Sequence, residues 1–246
     1  MAWLSKTRNK VILVVAAVMF VMAVVGFIIG VTTHREAGLL TVCWDEEGRA
    51  RYLGDDIEGR NEAEAESCEG PTELAWPRDQ IPITISSIAT LGDGEPGLFA
   101  EDDPRHRVLD AAIRDFNGQV GFTLFRRVPS GTTEPSAWVH FGEGIEAGRH
   151  GDAEPTAPPG YVSHRISGDN LDGHVYIRSD VESADRLLYR VLQHELGHLA
   201  GLAHDDFTAS IMFPVTRDDT LEEMSTSHVT DSDLALLRRL YRRGEP

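Results

Sequence analysis

The sequence predicts an α/β fold: one layered domain preceded by a single membrane-spanning helix. Three observations carry this. Residues 11–31 hold no charged residue. From residue 73 onward, five short stretches rich in β-branched and aromatic residues are bounded by turn residues. Three longer stretches carry apolar residues at helical spacing, interleaved with the strands or following them. The chain has 246 residues, enough for one substantial domain with attachments.

Residues 1–10, "MAWLSKTRNK", carry Lys6, Arg8 and Lys10 and no acid, and read as a cytoplasmic tip. "VILVVAAVMFVMAVVGFIIGV" (11–31) would be about 30 Å long as a helix, the thickness of a bilayer's hydrocarbon core. A cleaved signal peptide is the rival reading, but its apolar core is usually ~7–15 residues with a small-residue cleavage site. "GVTTHREAG" offers no such site. Three cations precede the span and only Arg35 follows closely, so the N-terminus is expected to stay cytoplasmic and the rest to lie outside. Residues 32–72 read as an acidic stalk, because "CWDEEGRARYLGDDIEGRNEAEAESC" is acidic and short of large apolar residues. Outside the cytoplasm, the two cysteines, Cys43 and Cys68, suggest a disulfide, with two free thiols as the alternative. A net charge of −17 argues against nucleic acid as a partner.

The domain proper spans 73–246. "IPITISSI" (81–88) reads as its first strand. "DDPRHRVLDAAIRDFNG" (102–118) reads as a helix: Pro104 suits the first turn, Val108, Leu109, Ala112, Ile113 and Phe116 share a face, and Asn117-Gly118 ends it. "GFTLFRRV" (121–128) and "AWVHFGE" (137–143) are further strands, followed by a Gly/Pro/Asp loop over 144–160. "YVSHRI" (161–166) and "HVYIRS" (174–179) are two more. A helix then runs from about Ser183 to Gly201, and a last one covers 230–243, opened by a Thr230-x-x-Asp233 capping pattern.

The chemistry lies in "HELGHLAGLAHD" (194–205). His194 and His198 are four apart, so on a helix their rings lie one turn apart on one face and can share one Zn²⁺. Glu195 beside them suits a general base acting on water. Catalytic zinc takes three protein ligands and keeps an open position. His204 is too far along a straight helix to be the third, but Gly201 lies halfway, and a glycine in left-handed conformation turns the chain back. The five fixed positions His194, Glu195, His198, Gly201 and His204 arise by chance on the order of once in ten thousand chains of this length.

These five residues resemble the metzincin zinc-protease signature. "SIMFP" (210–214) sits where metzincins have a methionine turn, which implies Met212 beneath the metal. Its form, together with "DSDLALLRRLY" in the last helix, is similar to the matrixin branch; Asp205 after the third histidine departs from it. The resemblance covers about residues 75–243. It implies a twisted, mixed five-stranded sheet with a long active-site helix, a Met-turn and a C-terminal helix. It also implies a second, structural zinc on His150 and Asp152 of "HGD", His164 of "YVSHRI" and His174 of "GHVYI"; a polar loop with incidental histidines is the alternative. The family's neighbouring calcium site is poorly preserved: "EPTAPPG" lacks its aspartate and Tyr176 replaces the expected acid. The family's latency cysteine stands in a Pro-Arg-Cys-Gly context, whereas Cys68 stands in "SCEGP".

The expected activity is hydrolysis of peptide bonds in extracytoplasmic proteins, with zinc on His194, His198 and His204 and Glu195 as base. An extended protein or peptide substrate would pair along the strand 161–166. A tethered zinc-binding module without catalysis and a small-peptide hydrolase are the rival readings; the intact Glu195 argues against the first. The cysteine reading has a direct test. Mass spectrometry of unreduced digests is expected to show the Cys43 and Cys68 peptides linked, and alkylation of both thiols in the unreduced protein would contradict it.

Overall fold

The main sheet is mixed and runs in the order β5-β4-β7-β9-β8, with β6 alongside β4. Its strands are β4 (Ile83–Thr90), β5 (Pro96–Gly97), β6 (Phe125–Arg127), β7 (Ala137–Gly142), β8 (Gly160–Ser167) and β9 (Asn170–Arg178). β4, β7 and β9 are mutually parallel, and β8 returns antiparallel to β9 as the edge. Three α-helices are described beside it: α1 (Pro104–Val120), α2 (Asp185–Leu199) and α3 (Asp231–Tyr241). This computed structural model describes residues 38–53, 70–90, 96–97, 100, 102–130, 132, 134–142, 159–178, 181, 185–213 and 228–241. All of them belong to the unit Glu36–Pro246. The expected cytoplasmic tip and membrane span (1–31) lie outside the described residues, among which no helix is long and apolar enough to cross a membrane.

Alternation along the strands selects the face that carries the core. In β7, Ala137, Val139 and Phe141 are buried while Trp138 and His140 are half-buried on the opposite face. Val162 of β8 and Val175 and Ile177 of β9 join the buried set. Against it pack Leu109, Ala112, Ile113 and Phe116 of α1 and Leu188, Leu192, Leu196 and Leu199 of α2. Each of the larger side chains among these contributes about 1.5–3 kcal/mol by leaving water. α1 has Pro104 in its first turn as its sequence predicts, and the Asp103 carboxylate caps it by accepting from the Arg105 N–H. The capping box of α3 also forms, with the Thr230 N–H donating to Asp233 and the Asp233 N–H to the Thr230 hydroxyl.

Several expectations need correction. Residues 32–72 are not a solvated stalk where they are described. β1 (Thr41–Trp44), β2 (Ala50–Leu53) and β3 (Thr72–Glu73) form a second, antiparallel sheet in the order β2-β1-β3. Leu40, Val42 and Cys43 are buried in the common core. The acidic residues masked this, because the few apolar ones are concentrated in "LLTVCW". Helix α1 does not end at Asn117-Gly118 but runs to Val120 and is capped by Gly121. The Asn117 side chain instead accepts from the Leu124 and Phe125 N–H groups, which fixes the turn and shortens the strand expected at 121–128 to β6. β8 and β9 meet in a tight hairpin at Gly168-Asp169, so β9 begins four residues before the expected start.

Beyond Ser167 and Asn170 the edge is partly covered. The Ile166 N–H donates to the Gly48 carbonyl. The peptide groups of residue 166, and by the strand's period of two those of His164 and Val162, therefore face away from β9.

The end of α2 is held from four directions. The indole of Trp76 donates to the Leu199 carbonyl at 2.6 Å and the Tyr241 hydroxyl to the Ala200 carbonyl at 2.8 Å. The Leu40 N–H donates to the Gly201 carbonyl at 2.8 Å, and the Gly201 N–H closes the turn on the His198 carbonyl. These are the carbonyls a helix terminus leaves without intrahelical donors. Trp76→Phe keeps an aromatic side chain but removes the donor and part of the buried indole, so it is expected to lower stability by about 1–3 kcal/mol or more in urea unfolding. An unchanged midpoint would show that the bond is not needed.

Candidate metal centre and active site

His194 and His198 project from the same face of α2, one turn apart, and α2 stops at Leu199. Gly201 then adopts φ +93°, where an L-side chain is strained, and a Cβ there would stand 2.5 Å from the Leu74 carbonyl oxygen. The reversal brings His204 back. The Nε2 atoms of His194, His198 and His204 lie 3.0, 3.0 and 3.1 Å from one another. Among the described residues these three form the one cluster with metal-ligand geometry.

The hydrogen bonds around the rings decide what the cluster can hold. The Nδ1 of His194 donates to the Ile211 carbonyl at 2.8 Å, and that of His198 to the Leu202 carbonyl at 2.8 Å. With the proton on Nδ1, each Nε2 presents a bare lone pair to the other. Burial holds His198 neutral down to about 4, and His194 well below its ordinary value, helped there by the neighbouring imidazoles. Converging lone pairs on neutral imidazoles repel unless a cation sits among them. The donor set fits Zn²⁺ with an open fourth position.

Glu195 follows His194 on α2 and is buried. It faces the start of β8: a Cβ on Gly160 would lie 2.8 Å from Glu195 Oε1. The carboxylate of the residue next to ligand His194 thus reaches the first residue of the sheet edge. Beneath the cluster, Met212 is fully buried and its sulfur packs on Gly197, where a Cβ would overlap the Sδ atom. The Met-turn is tied from both sides. The Met212 N–H donates to the Ser210 hydroxyl, Asp205 N–H to the Met212 carbonyl, and the guanidinium of Arg190 to the Ser210, Ile211 and Phe213 carbonyls. Burial raises the carboxyls of Asp205 and Asp233 on this side of the site above their ordinary range.

The second zinc set is not brought together. His150 and Asp152 lie outside the described residues. His164 pairs with Gly173 across the hairpin, and His174 with Ser163, so the two histidines point to opposite faces of the sheet. His164 is buried on the helix side, its Nδ1 2.7 Å from the Tyr52 hydroxyl and its Nε2 3.4 Å from the Leu199 carbonyl. His174 is on the outer face, stacked on Trp138, with its Nδ1 2.9 Å from His140 Nε2. A one-residue difference in register separates them, which strand-level reading does not resolve. Tyr176, where the calcium site would need an acid, stacks between His140 and Tyr161. Cys43 is not a free thiol; Cys68 lies outside the described residues.

Sequence reading missed Arg190, Gly160, Gly197, Trp76 and His140. Two had a signal: Gly197 is a helix-breaking residue inside a helix, and Arg190 is a charge on the ligand face four residues before His194. The others depend on contacts between distant segments.

Three convergent imidazoles, an adjacent buried carboxylate, a methionine turn below and an open sheet edge beside them define the class of zinc-dependent peptidases. The matrixin family model matches residues 103–242, and the chain belongs to this family of zinc metallopeptidases. It is 30% identical to rat (Rattus norvegicus) matrilysin over 154 residues, which covers 58% of this chain and 54% of matrilysin. It is 28% identical to mouse (Mus musculus) stromelysin-1 over 152 residues, 58% of this chain and 30% of stromelysin-1. The chain thus spans about half or less of the length of these relatives.

The neutral buried histidines give a pH dependence. The unfolded chain takes up protons below about 6.5. The folded chain resists until about 4 at His198 and about 3 at His140 and His164, where burial is the main cause. Chelator-treated protein is therefore expected to hold its stability above pH ~6.5 and lose it progressively as pH falls toward ~3. Urea midpoints measured across this range test it; a level midpoint from neutral pH down to about 5 would contradict neutral burial.

Proposed function

We propose that this chain is a zinc-dependent endopeptidase that cleaves extended segments of proteins outside the cytoplasm, tethered by residues 11–31. The observation that carries the reading is the pairing of three convergent histidine nitrogens with Glu195, the residue next to His194, whose buried carboxylate reaches the first residue of a sheet edge. Zinc held by His194, His198 and His204 would supply Lewis acidity toward the scissile carbonyl and toward water. Glu195 takes the proton from the attacking water and delivers it to the departing amine nitrogen.

The substrate backbone pairs with the outward peptide groups of Val162 and His164 and so lies extended beside Glu195. Backbone pairing gives affinity with little demand on sequence. The membrane tether rests on the length of the apolar run and on the cations before it. A Cys43–Cys68 bond rests on the same extracytoplasmic placement and on Cys43 not being free.

The test uses the full chain in detergent with an unfolded protein as substrate. The wild type is expected to cut internally, to lose activity to a chelator and to regain it with Zn²⁺. Glu195→Gln is expected to keep its zinc and lose about 10²–10⁴-fold in turnover. A Gln variant of near-wild-type rate removes Glu195 from the mechanism, and release of terminal residues alone would replace the endopeptidase by an exopeptidase.

A further inference from the structure

We propose that Arg190 is a positioning residue for the metal centre: it clamps the Ile211 carbonyl that fixes the proton of His194 on Nδ1. Arg190 stands one turn before His194 on the same face of α2 and is buried, 5% exposed. Its Nη1 donates to the Ile211 carbonyl at 2.6 Å. Its Nη2 reaches the Ser210 carbonyl at 3.2 Å and the Phe213 carbonyl at 3.4 Å. The Ile211 oxygen has two lone pairs. One takes the guanidinium and the other takes the His194 Nδ1–H at 2.8 Å.

The geometry has a chemical consequence. A histidine that ligates through Nε2 must carry its proton on Nδ1, and the acceptor at Nδ1 sets both tautomer and ring angle. In this chain the acceptor is a main-chain carbonyl on a turn with no regular secondary structure. The N–H side of that peptide is held by the Ser210 hydroxyl and its carbonyl side by Arg190, and a rotated carbonyl would leave the ring free to turn. Three bonds from one planar guanidinium hold Ser210, Ile211 and Phe213 as a rigid set. Met212 lies inside that set, so the same clamp holds its sulfur against Gly197. An apolar residue would fill this place at lower cost, since burying a guanidinium is expensive. The cation is spent on orienting the carbonyls.

The inference rests on the zinc reading, and the experiment separates the two. Zinc affinity of the full-length chain in detergent is measured by chelator competition, and the visible spectrum is recorded after Co²⁺ substitution. Arg190→Met is expected to fold, to bind Zn²⁺ about 10–100-fold more weakly and to show altered Co²⁺ bands, because one imidazole is no longer held. Arg190→Lys, which retains a donor for Ile211 but not the fork, is expected to fall between. Leu109→Ala, which loosens the α1 core away from the centre, is expected to lower stability and leave affinity and spectrum unchanged.

If Arg190→Met matches the wild type in both readouts, the role is overturned. The same holds if Leu109→Ala weakens zinc binding as much at equal loss of Tm, since affinity would then track stability alone. Should Arg190→Met fail to fold, Arg190→Lys decides, and wild-type affinity in it overturns the role. A wild-type chain that binds no zinc overturns the metal centre and the positioning role with it. A wild-type chain that binds zinc but hydrolyses nothing overturns only the peptidase reading.

Discussion

The constraint on which the rest depends is where helix α2 stops. Two ligands lie on the helix and the third lies beyond it, so the helix must end within one turn of His198 and reverse. A helix end exposes carbonyls, and this one is buried, so each needs a donor from elsewhere. The donors come from separate parts of the chain: Trp76 before the main sheet, Tyr241 in the last helix and Leu40 ahead of β1. N-terminal segment and C-terminal helix are thus bound to the same turn. The fold closes around the point where zinc chemistry requires the chain to bend.

A second layer of support lies under the histidines. The Met-turn is an irregular segment, and the only described ladder that holds it is one bridge, Ser210 to His228, with the Ile211 N–H on the His228 carbonyl. Here side chains take over that work. Arg190 of α2 and the buried Asp233 of α3 bind it from two elements, Ser210 closes it from within, and the bare flank of Gly197 lets the methionine approach the helix. The metal ligands themselves form few bonds to the rest of the protein; their order comes from carbonyls that are ordered by others.

How much of this was legible varies with the kind of signal. The zinc ligands were readable because their spacing is local: a turn of helix and one glycine determine where three side chains go. The strands near 137–142 and 160–167, the start of α1 at Pro104 and the capping box of α3 were readable for the same reason, whereas β9 begins earlier and α1 ends later than local signals suggest. The second metal set failed because it joined residues on different strands, and facing depends on a register set by a hairpin at 168–169. The stalk reading failed because composition averages over a segment. "LLTVCW" carries a small sheet whose partners lie far along the chain, and the acids around it hid this. Arg190 was visible as an anomaly, a charge on a buried face, but its partners sit twenty or more residues away.

The pairing of Gly38–Leu40 with Gly201–Ala203 also gives the site a mechanical connection. Leu39 and Leu202 form an antiparallel bridge, closed by Ala203 N–H to the Gly38 carbonyl and Leu40 N–H to the Gly201 carbonyl. Loss of these two bonds would free Ala203, the neighbour of His204. A short seam of backbone far from the motif in sequence thus braces the loop that carries the third ligand.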